Sequence, residues 1–338
     1  MSRLFRDVAG GPRCPHGSVV CIGAFDGLHL GHQALVRHAV ERARALGVPA
    51  VALSFEPLPR EFFADGVRPP RLLPAGEKAS RLLAMGLDQV GLLRFDAALS
   101  AMDAEDFVRQ VLVQRLAARE VWVGPEFRFG RRRGGDIVVL RRLGAQLDFS
   151  AGQIDPVMLQ GERVSSTRIR EALTRGNLDA AARLLGRPYS LCGRVVRGRQ
   201  LGRTLGYPTA NIRFAPGIVP AVSGIFATRV HGAVSAAQEQ SPEALVPPRG
   251  RHADGAPGWP SVSSVGTRPT VGGVEPLLET HLFDFDGDLY GRRLEVEFVA
   301  KLRDEEHFSD LPALAAQMHR DAEQARDLLS QDQRRVLA

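Results

Sequence analysis

The sequence has 338 residues, a formal net charge of +6 at pH 7 and a hydrophobic share of 44%. Its length is enough for two domains with separate cores, and no apolar run approaches the ~18 residues of a membrane-spanning helix, so no membrane partner is expected. The cysteines are few and unclustered and no apolar leader is present, which favours a reducing, cytoplasmic setting. The basic charge suits nucleic acid or phosphorylated small molecules, but it is almost entirely arginine and carries little weight.

The first informative stretch is residues 23–32, Gly-Ala-Phe-Asp-Gly-Leu-His-Leu-Gly-His. It follows a β-rich run and precedes a segment whose apolar residues recur every three or four positions, so the order strand, turn, helix is predicted. Free N–H groups at the helix start suit a phosphate. His29 and His32 can donate hydrogen bonds to phosphate oxygens, and Gly31 allows close backbone approach. The stretch predicts a nucleotide site; a metal site is the alternative, although no third ligand lies nearby in the sequence.

Residues 23–32 resemble the H-x-G-H signature of the nucleotidyltransferase superfamily, and Phe25, Asp26 and Gly27 make them similar to the form found in bacterial FAD synthetases. The resemblance implies that an adenylyl group passes from ATP to FMN. It also implies catalytic roles for His29 and His32, and nucleotide-binding roles for Gly23, Phe25, Asp26 and Gly31.

Residues 55–63, Phe-Glu-Pro-Leu-Pro-Arg-Glu-Phe-Phe, contain two prolines and are predicted to be a loop rather than a strand or helix. Phe62 and Phe63 could stack on a flat ring or simply pack on the core. The stretch resembles the F-E-P-x-P-x-E-F-F loop of the same synthetases. That resemblance places Phe62 on the flavin side of the site.

Strands and helices alternate through the first half of the chain. Strand-like runs are predicted at 50–55, 89–95, 120–123 and 146–149, and helices at 77–85, at 103–118 with Asp103 as its cap, and at 136–143. This alternation predicts an α/β fold of Rossmann-like type, with a parallel sheet, helices on both faces and ligands beyond the carboxyl ends of the strands. Gly23 and Gly124 both stand at such ends.

Residues 123–136 are rich in glycine and arginine and follow a predicted strand, so they form either a solvated arginine run or a loop that meets phosphates. They resemble the V-G-x-D/N-F-R-F-G loop of the FAD synthetases. Glu126 stands where the family usually has Asp or Asn, after Pro125. The resemblance implies a binding role for Glu126, whose side chain is one methylene longer than that of Asp.

Residues 164–170, Val-Ser-Ser-Thr-Arg-Ile-Arg, open a predicted helix that ends near Gly176, where hydroxyl side chains usually serve as caps. They resemble the S-S-T-x-I-R motif that holds the triphosphate opposite the H-x-G-H turn. This implies binding by Ser165, Ser166 and Thr167 and a catalytic role for Arg168. Because the FMN phosphate is already ionised, alignment, charge neutralisation and Mg²⁺ are needed rather than a general base.

A helix at 177–185 is followed by Gly-Arg-Pro, where we place the boundary between domains 1–186 and 187–338. Beyond it, short β-rich runs at 190–196, 224–230, 261–265, 281–285 and 294–299 predict a small antiparallel barrel. A terminal helix capped at Ser309 or Asp310 follows. Its apolar face is expected to pack on the barrel through Leu311, Leu314, Ala315, Met318, Ala322 and Leu329.

Residues 201–211 are predicted to form a loop in which Thr209 and Asn211 offer two oxygen ligands to magnesium or phosphate. The stretch resembles the G-x-P-T-A-N motif of riboflavin kinases, which implies Mg-ATP binding by Gly202, Gly206, Pro208, Thr209 and Asn211. Phosphorylation of riboflavin requires a base for its hydroxyl, and Glu279 matches the family's general base. The whole chain thus resembles the bifunctional riboflavin kinase and FMN adenylyltransferase of bacteria.

The expected substrates and products are riboflavin, FMN, FAD and ATP, with Mg²⁺ and no tightly bound prosthetic group. Residues 236–258 are predicted to be a disordered insertion, and Ser263 and Ser264 replace residues usual in the kinases. A monofunctional FAD synthetase with an inactive, flavin-binding barrel is therefore one alternative. A nucleic-acid-binding module is another, opposed by the lack of interleaved aromatics and arginines; a monomer or weak homo-oligomer is expected.

Overall fold

The computed structural model describes residues 3–8, 10–66, 68–198, 202, 205–214, 218–233, 258–270 and 273–337. Its internal contacts divide the chain into two compact units, Met1–Ser166 and Thr167–Ala338. This division lies ahead of the two helices that end the predicted domain 1–186. The predicted boundary between residues 186 and 187 therefore stays a prediction. The predicted insertion 236–258 lies outside the described residues except for Gly258.

Six strands of the first unit form one parallel sheet: β1 Leu4–Phe5, β2 Ser18–Ile22, β3 Ala50–Glu56, β4 Gln89–Arg94, β5 Ala118–Val123 and β6 Ser150–Gln153. Their order is β1-β4-β3-β2-β5-β6. The central β2 is buried along its whole length, which explains its apolar sequence. Ile22 lies beside Val123, so Gly23 and Gly124 follow at the same edge of the sheet, as predicted.

Helices cover both faces of this sheet, which confirms the predicted fold class. They are α1 Leu30–Leu46, α2 Pro59–Phe62, α3 Ala75–Ala84, α4 Ala97–Ala101, α5 Ala104–Phe107 with a π-helical continuation over Val108–Arg115, and α6 Ile137–Leu147. One core joins the sheet to α1 and α3, with Val36 and Leu82 at its centre. The other joins the opposite face to the π-helical segment and α6 through Leu112 and Leu140. A short hairpin, β7 Met158–Leu159 and β8 Glu162–Arg163, follows the sheet.

The prediction that residues 55–63 form a loop is wrong. β3 continues to Glu56, and α2 follows after two residues. Proline fits the first turn of a helix because it has no N–H group to leave unpaired. The carboxylate of Glu61 accepts a hydrogen bond from the N–H of Leu58 at 2.9 Å, and this bond completes the short helix.

Two smaller predictions in the first unit are also wrong. No strand forms over 146–149, because α6 runs to Leu147 and β6 begins only at Ser150. Asp103 precedes α5, but its side chain does not cap the helix. The carboxylate instead forms an ion pair with Arg131 at 3.0 Å.

Six strands of the second unit close into an antiparallel barrel: β9 Ser190–Val196, β10 Ala210–Arg213, β11 Gly224–His231, β12 Trp259–Thr270, β13 Gly273–Leu282 and β14 Arg293–Arg303. Their order is β10-β13-β12-β11-β14-β9. The predicted barrel is confirmed. The sequence analysis missed β10, which it assigned to a loop, and wrongly extended a strand through 283–285, whereas β13 ends at Leu282.

The barrel interior contains a cluster of buried hydroxyl groups. Thr228 Oγ1 lies 2.7 Å from the hydroxyls of both Ser261 and Ser263, and Ser263 also contacts Thr280. Buried hydroxyls require such partners. Ser263, one of the two unusual serines, is therefore part of this internal network, whereas its neighbour Ser264 faces the other way because side chains alternate along a strand.

The second unit also contains the helices α7 Ser166–Thr174, whose first residue closes the first unit, α8 Leu178–Leu185 and α9 Leu311–Leu337. Asp310 begins α9 by accepting the N–H of Ala313 at 2.8 Å. Ala322 and Leu329 pack against the barrel as predicted. The prediction for Leu311 is wrong, because its side chain is 52% exposed.

Candidate active sites

The turn between β2 and α1 is held in an unusually compact form. Phe25 and Leu28 have φ angles of 49° and 48°, and Gly27 has 85°, so three of four consecutive residues lie in the left-handed region that non-glycine residues seldom occupy. The Phe25 side chain is fully buried beneath the turn, and a Cβ atom at Gly23 would lie only 3.2 Å from its ring. The Phe25 ring therefore supports the turn from inside the protein.

The two histidines stand together at the start of α1. His29 accepts the N–H of His32 on Nδ1 at 3.3 Å, and the two rings stack with their centroids 3.7 Å apart. Gly31 leaves room for them, because a Cβ atom there would lie 3.2 Å from the His29 ring, closer than Cβ atoms usually approach. Burial, and then the nearby His29 and Lys78, lower the pKa of His32 well below its usual value. Near pH 7 His32 is thus a neutral imidazole, which donates one hydrogen bond.

A cavity of about 220 Å³ opens at the carboxyl ends of the strands in the first unit. It brings together residues far apart in the chain: His29, Gly31, His32, Gly124, Pro125, Arg163, Ser165 and Ser166. Ser166 donates a hydrogen bond to the carbonyl of Asp26 at 2.9 Å, so the second motif is fastened directly to the turn. Gathered imidazoles, hydroxyls and a helix start form a surface that suits phosphate groups.

Thr167 and Arg168 follow along α7 in the second unit, and their predicted roles stay predictions. In the motif S-S-T-x-I-R, the specified arginine corresponds to Arg170, whereas Arg168 stands at the variable position. The sequence analysis left Arg170 out. The spacing of the motif would have identified it.

Asp26 is 2% exposed and is used within the protein. Its Oδ1 accepts the N–H groups of Leu72 and Leu73, both at 3.1 Å, and its Oδ2 pairs with Arg60. These bonds hold the turn against α2 and the segment before α3. In this arrangement the carboxylate of Asp26 anchors the turn, and a direct contact with nucleotide stays a prediction.

An aromatic patch is exposed at the end of α2. Phe62 and Phe63 are 38% and 63% exposed, and each packs edge-to-face against Phe95, with centroid distances of 5.3 and 5.8 Å. Exposed phenylalanines held in fixed orientations offer apolar ring surface to a flat ligand. Of the two alternatives for Phe62 and Phe63, the structure favours a free face over full burial in the core.

Glu126 lies beside the cavity mouth without lining it. Its φ angle is 59°, and its exposed carboxylate pairs with Arg163 at 2.7 Å. Asn and Asp tolerate the left-handed region better than longer side chains do. The backbone thus gives a physical reason for Asp or Asn at this position, apart from any ligand contact.

The candidate kinase site is a row of side chains across five barrel strands. Asn211 pairs with Glu279, Glu279 with Ser264, Ser264 with Ile225, and Ile225 with Arg303. Directly opposed residues in antiparallel strands share a face of the sheet. All five line one cavity of about 400 Å³, whose far side is formed by Leu314, Met318 and Asp321 of α9.

Thr209 and Asn211 both line this cavity, and their oxygen atoms are of the type that Mg²⁺ prefers. Asn211 is buried, with its Nδ2 directed to the carbonyl of Thr209 at 3.5 Å. Gly198 leaves the space around the Asn211 amide open, because an added Cβ would overlap it. Gly202 also lines the cavity, and Gly206, with a φ angle of 84°, turns the chain toward Thr209.

His281, two residues after Glu279 on the same face of β13, was not selected in the sequence analysis. It donates from Nδ1 to the carbonyl of Pro208 at 2.8 Å, and its ring lies edge-on to Tyr207 at 5.2 Å. Burial lowers its pKa, and the bond to Pro208 opposes that effect in part. Tyr207 in turn lies 2.9 Å from His319 Nδ1, so the Pro-Thr-Ala-Asn segment is fastened to both β13 and α9.

Two further residues line the cavity without having been predicted as site residues. Arg303 forms a two-pronged ion pair with Asp321, with contacts of 2.9 and 2.7 Å, and this pair links β14 to α9. Burial raises the pKa of Glu305, which also lines the cavity. No local motif marks Glu305, because its place in the cavity depends on the path of α9 across the barrel.

Within the residues that the structure describes, no three His, Cys, Asp or Glu side chains cluster in a way that could hold a metal ion. Among those same residues no helix is both long and apolar enough to cross a membrane.

Comparison with known proteins gives matches over nearly the whole chain. The FAD synthetase family matches residues 11–168 and the riboflavin kinase family residues 185–329. The bifunctional riboflavin kinase/FMN adenylyltransferase of Pseudomonas fluorescens is 41% identical over 313 residues, covering 92% of this chain and 93% of that protein. The protein of the same name from Escherichia coli K12 is 38% identical over 326 residues, covering 96% and 97%.

A solved structure shares the fold along most of the chain. A crystal structure from Streptococcus pneumoniae, described as a macrolide-efflux protein, superimposes with a TM-score of 0.72 at 27% identity, covering 92% of this chain and 94% of the other.

Proposed function

The chain belongs to the family of bifunctional riboflavin kinases/FMN adenylyltransferases, and from this premise we propose how its residues divide the two reactions. The enzyme phosphorylates riboflavin to FMN with ATP and then joins FMN to the adenylyl group of a second ATP, giving FAD and pyrophosphate. We assign the first reaction to the barrel and the second to the parallel-sheet unit.

The cavity beside His29 and His32 supports adenylyl transfer. The main observation in favour of this proposal is the hydrogen bond from Ser166 to the carbonyl of Asp26, which joins the two motifs. The phosphate of FMN attacks the α-phosphorus of ATP, and the bond to the pyrophosphate oxygen breaks. Because the attacking phosphate is ionised near neutral pH, the residues need only align the two groups and stabilise charge on the leaving pyrophosphate. We assign this role to His29, His32, Ser165 and Ser166, and we expect Thr167 and Arg168 or Arg170 to share it.

The barrel cavity supports phosphoryl transfer to a hydroxyl. Here the attacking oxygen must lose its proton, and Glu279 takes it as general base. Its support is the cross-strand register, which sets Glu279 directly beside Asn211. The base and the predicted ligands of the nucleotide therefore face one cavity, with Leu314 and Met318 providing apolar surface for the flavin ring.

Mg²⁺ is the divalent ion that we propose for both reactions. In the barrel, Thr209 and Asn211 would hold it with phosphate oxygens. When bound, it neutralises phosphate charge.

The remaining expectations concern partners and setting. We propose that the enzyme works on free flavins and ATP in the cytoplasm, without nucleic acid, as a monomer or weak homo-oligomer. Sedimentation would reveal the assembly. RNA binding that persists at physiological ionic strength would contradict this proposal.

The deciding experiment separates products by chromatography after two reactions of the purified protein with ATP and Mg²⁺, one started from riboflavin and one from FMN. We expect riboflavin to give FMN and then FAD. If FAD forms only in the reaction that starts from FMN, the result would instead support the alternative, in which the barrel is inactive. Parallel Arg168→Ala and Arg170→Ala variants would show which arginine of α7 serves adenylyl transfer.

A further inference from the structure

Lys78 is a buried cation of α3 that contacts the turn between β2 and α1. Its side chain is 1% exposed, and it belongs to a chain in which all but two of the 44 lysines and arginines are arginine. A lysine ammonium is compact, whereas a guanidinium is a broad planar group. The first unit therefore has its one compact side-chain ammonium at this buried position.

The ammonium of Lys78 bridges two strand ends. It donates to the carbonyl of Ala24 at 3.3 Å, in the turn after β2, and to the hydroxyl of Ser54 at 3.0 Å, near the end of β3. It also lies 3.4 Å from the carbonyl of Phe55 and pairs with Glu56 at 2.9 Å. Ser54 itself donates to the Ala24 carbonyl at 3.0 Å, so that carbonyl is held by two donors from inside the protein.

The Ala24 residue is exposed on the outer side of the same turn. Its carbonyl is therefore held from inside the protein, while the residue itself lies at the surface of the turn that leads to His29. On the β3 side, Glu56 leads into α2 and the exposed Phe62 and Phe63. Lys78 thus connects the phosphate-binding turn to the segment that carries the aromatic patch.

Further ion pairs complete the arrangement. Arg71 contacts both Glu56, at 2.8 Å, and Glu61, and Arg60 pairs with Asp26. Three cations and three carboxylates thus balance in charge. Burial lowers the pKa of Lys78, and the pair with Glu56 counteracts this. Buried ion pairs cost desolvation and seldom add stability over apolar packing, so stability alone is a weak reason for the network.

We propose that Lys78 is a positioning residue of the adenylyl-transfer site. Through the Ala24 carbonyl and the end of β3, it sets the spacing between the turn that holds the ATP phosphates and the segment that receives the flavin. This inference rests on the proposed function of the first unit. Misplacement of reacting groups by about 1 Å can cost about 100-fold in rate, which is the scale of effect expected when the bridge is removed.

The test measures both activities of the full chain in Lys78→Met, which keeps the length of the side chain but removes its charge. We expect kcat for FMN adenylylation to fall about 10- to 100-fold, with little change in either KM, while phosphorylation of riboflavin by the same preparation stays normal. Lys301→Met, at the only other lysine and in the other unit, should leave adenylylation unchanged. Wild-type kcat in Lys78→Met would overturn the proposal.

A second variant separates positioning from folding. Glu56→Gln combined with Lys78→Met leaves two cations and two carboxylates in the network, which restores its charge balance, and should restore thermal stability without restoring kcat. Joint recovery of stability and kcat would mean that Lys78 is only structural and would refute the proposal. If Lys78→Met does not fold, Ser54→Ala provides the test, because it removes one donor to the Ala24 carbonyl without changing the charge. A several-fold fall in kcat would support the proposal, and an unchanged kcat would overturn it.

Failure of the inference is distinguishable from failure of the proposed function. A wild-type protein that makes no FAD from FMN and ATP contradicts the proposed function before any variant is compared. A wild-type protein that makes FAD, together with a fully active Lys78→Met variant, contradicts the inference alone.

Discussion

The two units act on the same nucleotide but are built for different acceptors. In the first unit, a compact turn, stacked imidazoles and a helix start gather where parallel strands end. In the second, a carboxylate stands in register with an amide across antiparallel strands. The flavin phosphate arrives ionised, whereas the riboflavin hydroxyl must lose a proton. The comparison teaches that the protonation state of the acceptor decides whether a site needs a general base.

The two sites also differ in how they are supported. The turn of the first unit is held from beneath by buried charges, notably Asp26 and Lys78. The segment around Thr209 in the second unit is held by hydrogen bonds, from His281 to Pro208 and between Tyr207 and His319. A change in pH or a substitution that alters the support of one site should therefore leave the other site largely unaffected. The following experiments test that independence.

The largest effect is expected for the double variant His29→Ala, His32→Ala. Loss of one such donor typically costs about 10²- to 10³-fold in rate, so FAD formation from FMN should fall about 10³-fold or more. Riboflavin phosphorylation should persist, because Glu279 and its neighbours lie in the other unit. Product chromatography measures both rates, and normal FAD formation would remove the histidines from the mechanism.

Glu279→Gln is the converse experiment. The amide keeps the size of the side chain but cannot accept the hydroxyl proton, so phosphorylation of riboflavin should slow about 10²- to 10⁴-fold. Adenylylation of supplied FMN should stay normal. Kinase turnover that matched the wild type would show that another group removes the proton.

A third experiment compares the acid sensitivity of the units. The pKa of His32 in the folded unit lies well below that of the unfolded chain, so between these values the unfolded state binds more protons. The contribution of neutral His32 to the free energy of unfolding is therefore fully present above about pH 6.5 and is lost as the pH falls below that value. From pH 7 to 5.5 the first unit should lose about 1 kcal/mol for this one histidine. For the second unit we expect a smaller loss from His281, since its bond to Pro208 opposes the shift.

Tryptophan fluorescence can follow each unit alone, because the chain has two tryptophans, Trp122 on β5 and Trp259 on β12. Urea unfolding of Trp259→Phe reports the first unit, and Trp122→Phe reports the second. His32→Gln should flatten the pH dependence of the first unit. A slope that remained in that variant would assign the acid sensitivity to another group.

The smallest effect is expected at Glu126. Glu126→Asn relieves a left-handed backbone that costs longer side chains about 1–2 kcal/mol, while the lost pair with Arg163 is worth little at the surface. We expect the free energy of unfolding of the first unit to rise by about 0.5–1 kcal/mol at high salt, where the ion pair is screened. Glu126→Gln keeps the strain and is the matched control; equal stability of the two variants would exclude backbone strain as the cause.

Much of this protein could be predicted locally. Apolar periodicity and glycine placement give the strand, turn and helix around His29, and the short β-rich runs give the barrel, because these patterns depend on neighbouring residues. The same reasoning failed for residues 55–63, where proline at a helix start was taken as a loop signal. It also failed for 210–213, a short strand stabilised mainly by its neighbours β9 and β13.

By itself the sequence determined the fold class, the two motif sets and the family, since each is carried by residues close together in the chain. Only the tertiary structure decided which side chains serve the ligand and which serve the protein. Asp26 and Phe25 lie within the first motif yet are buried, and Lys78 and Arg303 support the two sites although neither was predicted as a site residue. Burial and long-range pairing depend on which distant segments pack together, and a local sequence pattern does not specify that packing.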